Sequence, residues 1–121
     1  MNQAVNSGQL QTEQVLVVED SDAARAVLAI KLRREGYHVV EATTGRQALE
    51  VAASGNIDLV LLDIQLPDMK GLQVLRQLRL ARSMLDMPVI VVSGLDHPDD
   101  VVAALQSGAN DYVTKPFDLA V

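Results

Sequence analysis

Three short, unbroken apolar runs constrain the fold of this chain more than any other feature. They occupy residues 15–18 (VLVV), 59–62 (LVLL) and 89–92 (VIVV). Apolar runs of this length, without alternation, are typical of strands covered on both faces, as in parallel sheets. Two weaker and more polar runs, at residues 38–41 and 111–113, have the character of edge strands.

Helical patterns separate the five runs. Apolar residues recur at spacings of three and four over residues 21–35, 44–53, 71–80 and 98–106. Gly36 and Gly108 follow two of these segments, and Pro98 starts one, as is typical of helix ends. Strands that alternate with helices in this way predict an α/β fold with a doubly wound, five-stranded parallel sheet.

The same spacing predicts which face of two of the helices packs against the sheet. In the first helix, a row at four-residue spacing predicts the buried face, with Val27 beside it; the row is Ala24, Leu28 and Leu32. In the fourth helix, Val101, Val102 and Leu105 share the predicted face.

Chain length and composition limit the number of domains and the kinds of partner that this protein can bind. The chain has 121 residues, which predicts one domain over residues 15–121, after a polar and aperiodic segment at 1–14 that we expect to be a disordered tail. A net charge of −6 argues against binding of nucleic acid or of an anionic membrane. With no cysteine, disulfide scaffolds and cysteine–zinc sites are excluded. The sequence also lacks a secretory signal pattern and an apolar span of about 20 residues, which predicts a cytoplasmic protein.

Polar residues follow four of the predicted strands. Glu19 and Asp20 come after the first strand, Asp63 after the third, Ser93 at the end of the fourth, and Lys115 after the fifth. Ligands of open α/β sheets bind at the carboxyl ends of the strands, where the strand order reverses. If the order is 2-1-3-4-5, the three carboxylates converge between the first and third strands.

Three carboxylates in one cleft repel each other strongly, so the repulsion must be compensated by raised pKa values, by a lysine or by a metal cation. Carboxylate oxygens suit Mg²⁺, and Lys115 supplies a second positive charge. A carboxylate nucleophile, a divalent cation, an ammonium and a hydroxyl together form the apparatus for phosphoryl transfer onto an aspartate.

Each of these residues also has an ordinary structural role. Asp20 could cap a helix, Asp63 and Ser93 could form turns, and Glu19 and Lys115 could be solvated surface groups. Such roles do not explain why the residues follow four of the predicted strands together.

Four segments carry a family resemblance: VLVVEDSD, DLVLLDIQLPDMKG, PVIVVSG and GANDYVTKPF. In this order and spacing, residues 15–117 resemble the receiver domain of two-component response regulators, the chemotaxis-type receiver fold. The resemblance implies a flavodoxin-like sheet of order 2-1-3-4-5 and a fifth helix after Phe117. Four residues follow Phe117, so we expect that helix to be truncated or missing.

The resemblance also implies a role for each site residue. Asp63 is the phosphoacceptor. Glu19, Asp20, Asp63 and the backbone carbonyl of Gln65 hold Mg²⁺ or Mn²⁺. The Ser93 hydroxyl and the Lys115 ammonium bind phosphoryl oxygens.

The family's switch is the second implication. Tyr112 matches the aromatic residue that moves inward when Ser93 is drawn to the phosphoryl group, which alters the surface of the fourth helix and fifth strand. The Lys115–Pro116 bond is expected to be cis, against a base rate of about 5–6% for bonds that precede proline.

Partners follow from the same resemblance. The implied phosphodonor is a sensor histidine kinase or a phosphotransfer protein, and the implied target is an output domain C-terminal to residue 121 or another partner, with a weak homodimer also open. The domain would catalyse its own phosphorylation and dephosphorylation only.

Three alternatives stand beside this reading. A degenerate receiver would bind partners without phosphorylation, and the complete residue set argues against it. An enzyme of the haloacid-dehalogenase type needs a second Asp where Gln65 stands. A flavodoxin-type module needs a glycine- and hydroxyl-rich phosphate loop where Glu19 and Asp20 stand.

Overall fold

The computed structural model describes residues 13–116. Strands and helices alternate through this range. The strands are β1 (Gln14–Val18), β2 (His38–Ala42), β3 (Leu59–Leu62), β4 (Val89–Ser93) and β5 (Asp111–Thr114), and the helices are α1 (Asp22–Arg34), α2 (Gly45–Ser54), α3 (Gly71–Ala81) and α4 (Pro98–Gln106). β1 thus begins one residue before its predicted start. Residues 1–12 of the expected tail and the segment of the expected fifth helix lie outside the described residues.

The five strands form one parallel sheet of order β2-β1-β3-β4-β5. This confirms the predicted order and the edge positions of the two more polar strands. β1 is flanked on both sides, so that Leu16 pairs with Val40 of β2 and with Val60 of β3. The reversal of strand order therefore falls between β1 and β3, as expected.

The unbroken apolar runs are explained by a core on each face of the sheet. Within β1, Leu16 and Val18 face the layer of α2, α3 and α4, whereas Val15 and Val17 face α1. Successive side chains of a strand point to opposite faces, so both sets must be apolar when both faces are covered. All four side chains are buried.

The predicted row of α1 is confirmed, because Leu28 is buried, Ala24 is half-buried and Leu32 packs against the core. Val27 beside it is largely exposed, and Ala29 is buried instead.

The predicted face of α4 was wrong. In α4, the buried side chain is Ala104, and Val102 and Leu105 are about half exposed. The row that faces the sheet is set by how the helix lies on the strands, and a small alanine can occupy the closest approach. Hydropathy alone favours the larger neighbours.

Helix ends largely follow the predicted signals. Thr44 caps α2 by accepting a hydrogen bond from the Gln47 N–H, and Gly36 adopts a φ of 97° after α1. The N-cap of α1 is Ser21, which accepts from the Ala24 N–H, so the alternative capping role of Asp20 is not adopted.

Within residues 13–116, no helix combines the length and the apolar character that a membrane crossing needs.

Candidate functional site

The predicted site residues meet at the carboxyl edge of the sheet, and their burial sets them apart. Among residues 13–116, the buried polar or charged side chains are Glu19, Asp63 and Ser93, which are 2%, 6% and 0% exposed. All three come from the predicted site. Burial of polar groups is costly unless they are paired, so this position in the fold demands partners.

The three carboxylates form one cluster. Glu19, Asp20 and Asp63 each offer an oxygen, and these oxygens all lie within 4.8 Å of one another. Asp20 is exposed, so the cluster opens to solvent on its side. Hard oxygen donors with an open side suit a divalent cation that keeps some of its water, which is the chemistry of Mg²⁺. The residues present therefore fit such an ion.

Lys115 closes the cluster from the side of β5. Its Nζ donates to Glu19 Oε1 at 2.5 Å and to Asp63 Oδ2 at 3.0 Å. Burial of the ammonium favours its neutral form, but the hydrogen bonds and charges of the two carboxylates outweigh burial and raise the pKa of Lys115. The Lys115–Pro116 bond is cis, as predicted.

Asp63 and Ser93 also form local turns. Asp63 Oδ1 accepts from the Gln65 N–H at 3.0 Å, and Ser93 Oγ accepts from the Leu95 N–H at 3.2 Å. Both residues thus adopt the ordinary turn role, and the short turn orients each side chain. The phosphoacceptor role of Asp63 and the phosphoryl-binding role of Ser93 stay predictions. The Gln65 backbone lies next to Asp63, and a metal-ligand role for its carbonyl stays a prediction.

Arg25 of α1 contacts the backbone of Glu19, and no sequence motif pointed to this residue. Its Nη1 donates to the Glu19 carbonyl at 2.9 Å, while its other nitrogens contact Asp22 and Glu41. Glu19 Oε2 meanwhile accepts from the Ser21 N–H at 3.1 Å. The residue most constrained by these bonds is Glu19, which is held through both its backbone and its side chain.

Asp68 is a second residue that sequence reasoning missed. Its Oδ1 and Oδ2 accept from the Gly45 and Arg46 N–H groups, at 2.8 and 2.9 Å. These bonds lower the pKa of Asp68 below its usual value. The partners lie 23 and 22 residues earlier in the chain, so no local sequence signal could have found the contact.

Tyr112 completes the site on β5. Its hydroxyl donates to the Leu95 carbonyl at 2.5 Å, and its ring packs against the core under α4. Burial raises the pKa of Tyr112, the nearby Ser93 hydroxyl opposes that shift, and the negative charges of Asp100, Asp63 and Asp96 add to it. Ser93 and Tyr112 are therefore both hydrogen-bonded to the backbone of Leu95.

Comparison with known proteins agrees with this geometry. Residues 15–121 match the family model described as the response regulator receiver domain. The transcriptional regulatory protein KdpE of Mycobacterium tuberculosis (strain H37Rv) is 47% identical over 105 residues, which are 87% of this chain and 45% of that protein. The chain thus spans about 45% of the length of the first curated relatives that it matches.

Two solved structures have the same fold at sequence identities above 25%. A CheY-like receiver domain protein from Methanospirillum hungatei JF-1 has a TM-score of 0.80 and 32% identity, over 89% of this chain and 85% of that one. A response regulator from Burkholderia pseudomallei, solved with a phosphorylated aspartic acid, a calcium ion and citrate, has a TM-score of 0.83 and 27% identity, over 89% of this chain and 62% of that one.

Proposed function

This chain belongs to the family of response regulator receiver domains, and on that premise we propose that Asp63 accepts a phosphoryl group in a Mg²⁺-dependent reaction. The donor is the phosphohistidine of a sensor histidine kinase or of a phosphotransfer protein. The observation that carries the proposal is the burial of Glu19 and Asp63 on one ammonium, that of Lys115, with Ser93 also buried at the end of β4. The domain is a signalling module and not a classical enzyme.

In the proposed step, a carboxylate oxygen of Asp63 attacks phosphorus. The phosphorus–oxygen bond forms as the phosphorus–nitrogen bond to the donor breaks, and the electron pair stays on the imidazole nitrogen, which then takes a proton from solvent. The product carries roughly −1.5 to −2 charges into a cleft that already holds carboxylates. Lys115, 3.0 Å from Asp63, is placed to offset part of that charge.

The remaining charge calls for a cation. Glu19, Asp20, Asp63 and the Gln65 carbonyl would hold Mg²⁺ or Mn²⁺, which would supply positive charge near the transferred group. The calcium ion and phosphorylated aspartic acid of the Burkholderia pseudomallei relative support this choice for a domain of the same family.

Switching would begin at Ser93. Its hydroxyl can donate to a phosphoryl oxygen only once that oxygen exists, and such a move would disturb the bond that it accepts from the Leu95 N–H. The Leu95 carbonyl holds the Tyr112 hydroxyl, so the change would reach Tyr112 and the surface of α4 and β5. Such a local event would bias the contact with a partner or with an output domain C-terminal to residue 121.

The name of the Mycobacterium tuberculosis relative supports a transcriptional output for the whole protein. We do not assign that output to the receiver domain, whose charge of −6 disfavours direct nucleic-acid contact. A weak homodimer through the receiver domain is compatible with this proposal.

The decisive experiment is intact-mass measurement after incubation with acetyl phosphate and MgCl₂. The wild type should gain one phosphoryl mass, and Asp63→Asn should gain none. Asp86→Asn, at an exposed aspartate away from the cluster, is the matched control and should label like the wild type. An unlabelled wild type, or equal labelling of Asp63→Asn, would overturn the proposal.

A further inference from the structure

We propose that Asp68 is a positioning residue, which holds the segment that carries Gln65 in the place required for metal binding. This inference rests on the proposed function, because it concerns the same metal site. It adds a residue outside the acidic cluster to the determinants of Mg²⁺ affinity. The segment in question is the 64–70 loop, between β3 and α3.

The tip of the 64–70 loop is attached to another element. Asp68 accepts the N–H groups of the first two residues of α2, Gly45 at 2.8 Å and Arg46 at 2.9 Å. These N–H groups have no partner within their own helix, and the positive end of the helix favours a carboxylate there. The Asp68 side chain is exposed, so the hydrophobic effect does not hold it against α2. The two hydrogen bonds hold it there.

Packing at the same point leaves the tip little freedom. A Cβ built on Gly45 would lie 2.5 Å from Met69 Cγ and 2.8 Å from Val74 Cγ2. The start of α2 therefore rests directly on the Met69 side chain, beside Asp68. The hydrogen bonds and this close approach together fix the tip of the loop against α2.

The base of the loop is closed by its own backbone. The Gly71 N–H donates to the Ile64 carbonyl at 2.8 Å, and Gln65 forms an antiparallel bridge with Lys70. Gln65 thus lies between a closed base and an anchored tip. Its N–H also donates to Asp63 Oδ1, so any displacement of Gln65 is transmitted to the phosphoacceptor carboxylate.

Helix α2 provides a control for this role. Its N-cap Thr44 accepts from the Gln47 N–H at 3.1 Å, independently of the 64–70 loop. Thr44→Ala and Asp68→Ala each remove hydrogen bonds from the first turn of α2, but only Asp68→Ala releases the loop. A comparison of the two variants separates loss of helix capping from loss of loop position.

The experiment is a titration of MgCl₂ into the whole chain, followed by amide NMR, for the wild type and both variants. Groups that orient metal ligands typically affect metal affinity about 10-fold or more, so Asp68→Ala should raise the Kd for Mg²⁺ by about 10-fold. Thr44→Ala should keep the wild-type Kd. Asp68→Asn, which keeps one acceptor oxygen, should fall between Asp68→Ala and the wild type. Equal Kd values for Asp68→Ala and Thr44→Ala would overturn the inference.

A second readout needs no metal. In the metal-free chain, the Gln65 amide should exchange its hydrogen faster in Asp68→Ala than in the wild type or Thr44→Ala. If the wild type itself binds no Mg²⁺, the proposed function fails, and this exchange rate still decides the positioning role. An unchanged Gln65 exchange rate in Asp68→Ala then overturns it.

Discussion

The Lys115 ammonium lies 3.0 Å from Asp63 Oδ2 and donates at the same time to Glu19 Oε1. One cation thus compensates two carboxylates that are almost entirely buried. The arrangement makes Lys115 a structural group as well as a proposed phosphoryl ligand. Its two roles can be separated by measurements of stability in the absence of phosphodonor.

Lys115→Met should destabilise the fold at neutral pH. Removal of one partner of a buried pair leaves a charge uncompensated, which costs roughly 3–5 kcal/mol at full burial, and we expect about 2 kcal/mol here because the Lys115 side chain keeps some solvent access. The loss should shrink when MgCl₂ is added. Urea unfolding with and without MgCl₂ measures both values.

The dependence of stability on alkaline pH tests the raised pKa of Lys115. A group whose pKa is raised by folding contributes stability that is complete below its unfolded value, about 10.5 here, and that is lost as the pH rises through the folded value. Lys115→Met should lack this alkaline loss, whereas Lys31→Met, at an exposed lysine, should keep it. Wild-type stability of Lys115→Met at neutral pH would contradict the assignment.

Tyr112 should ionise above the ordinary tyrosine value of 10.0, because burial disfavours the phenolate. The chain has two tyrosines, so ultraviolet titration of phenolate absorbance can resolve them. Tyr112→Phe should remove the step above pH 10, and Tyr37→Phe should leave it. Loss of the bond to the Leu95 carbonyl should cost about 1 kcal/mol of unfolding free energy.

Tyr112 also affects how the lysine experiment is done. Its raised pKa contributes stability that is present below pH 10 and lost as the pH rises, in the same direction as that of Lys115. The alkaline comparison of Lys115 variants is therefore best made in a Tyr112→Phe background. If the high-pH step survives in Tyr112→Phe, the assignment of the raised pKa to Tyr112 is wrong.

Gly71→Ala should destabilise the chain, because the added carbon has no room. A Cβ at Gly71 would lie 2.4 Å from Ile64 Cα and 2.7 Å from the Asp63 carbonyl oxygen, and backbone atoms cannot move aside cheaply. We expect a loss of about 3 kcal/mol, at the upper end for overpacking. Urea unfolding measures it.

Gly94→Ala is the matched control for that substitution. A Cβ at Gly94 meets no atom within 4 Å, so stability should be unchanged or rise by up to about 1 kcal/mol through the unfolded chain. Equal midpoints for Gly71→Ala and the wild type would show that the approach of Gly71 to Ile64 is not tight.

The strand positions and the site were predictable from the sequence for the same reason. A strand buried on both faces needs an unbroken apolar run, so residues 59–62 were readable as β3 without any knowledge of their neighbours. Parallel strands end at one edge, so the residues that follow them meet there. Asp63 and Lys115 are 52 residues apart in the chain, and topology alone brings them together.

Contacts between elements were not predictable in this way. The bond from Asp68 to the start of α2 depends on where the 64–70 loop lies, and the contact of Arg25 with the Glu19 carbonyl depends on the rotation of α1. Val102 and Leu105 of α4 are a further example, because they were predicted to face the sheet and are about half exposed. Side-chain hydropathy predicts that a helix has an apolar face, but it does not predict how the helix is rotated about its axis against the sheet.

The sequence by itself thus determined the order of elements, the parallel sheet and the identity of the acidic cluster, because burial and strand direction are local or topological properties. Only the tertiary structure decided that Lys115 neutralises Glu19 and Asp63, that Leu95 joins Ser93 to Tyr112, and that Asp68 anchors the loop beside Gln65. These contacts join residues through space at distances of about 3 Å. Their existence depends on the packing of whole elements against one another, which no short stretch of sequence encodes.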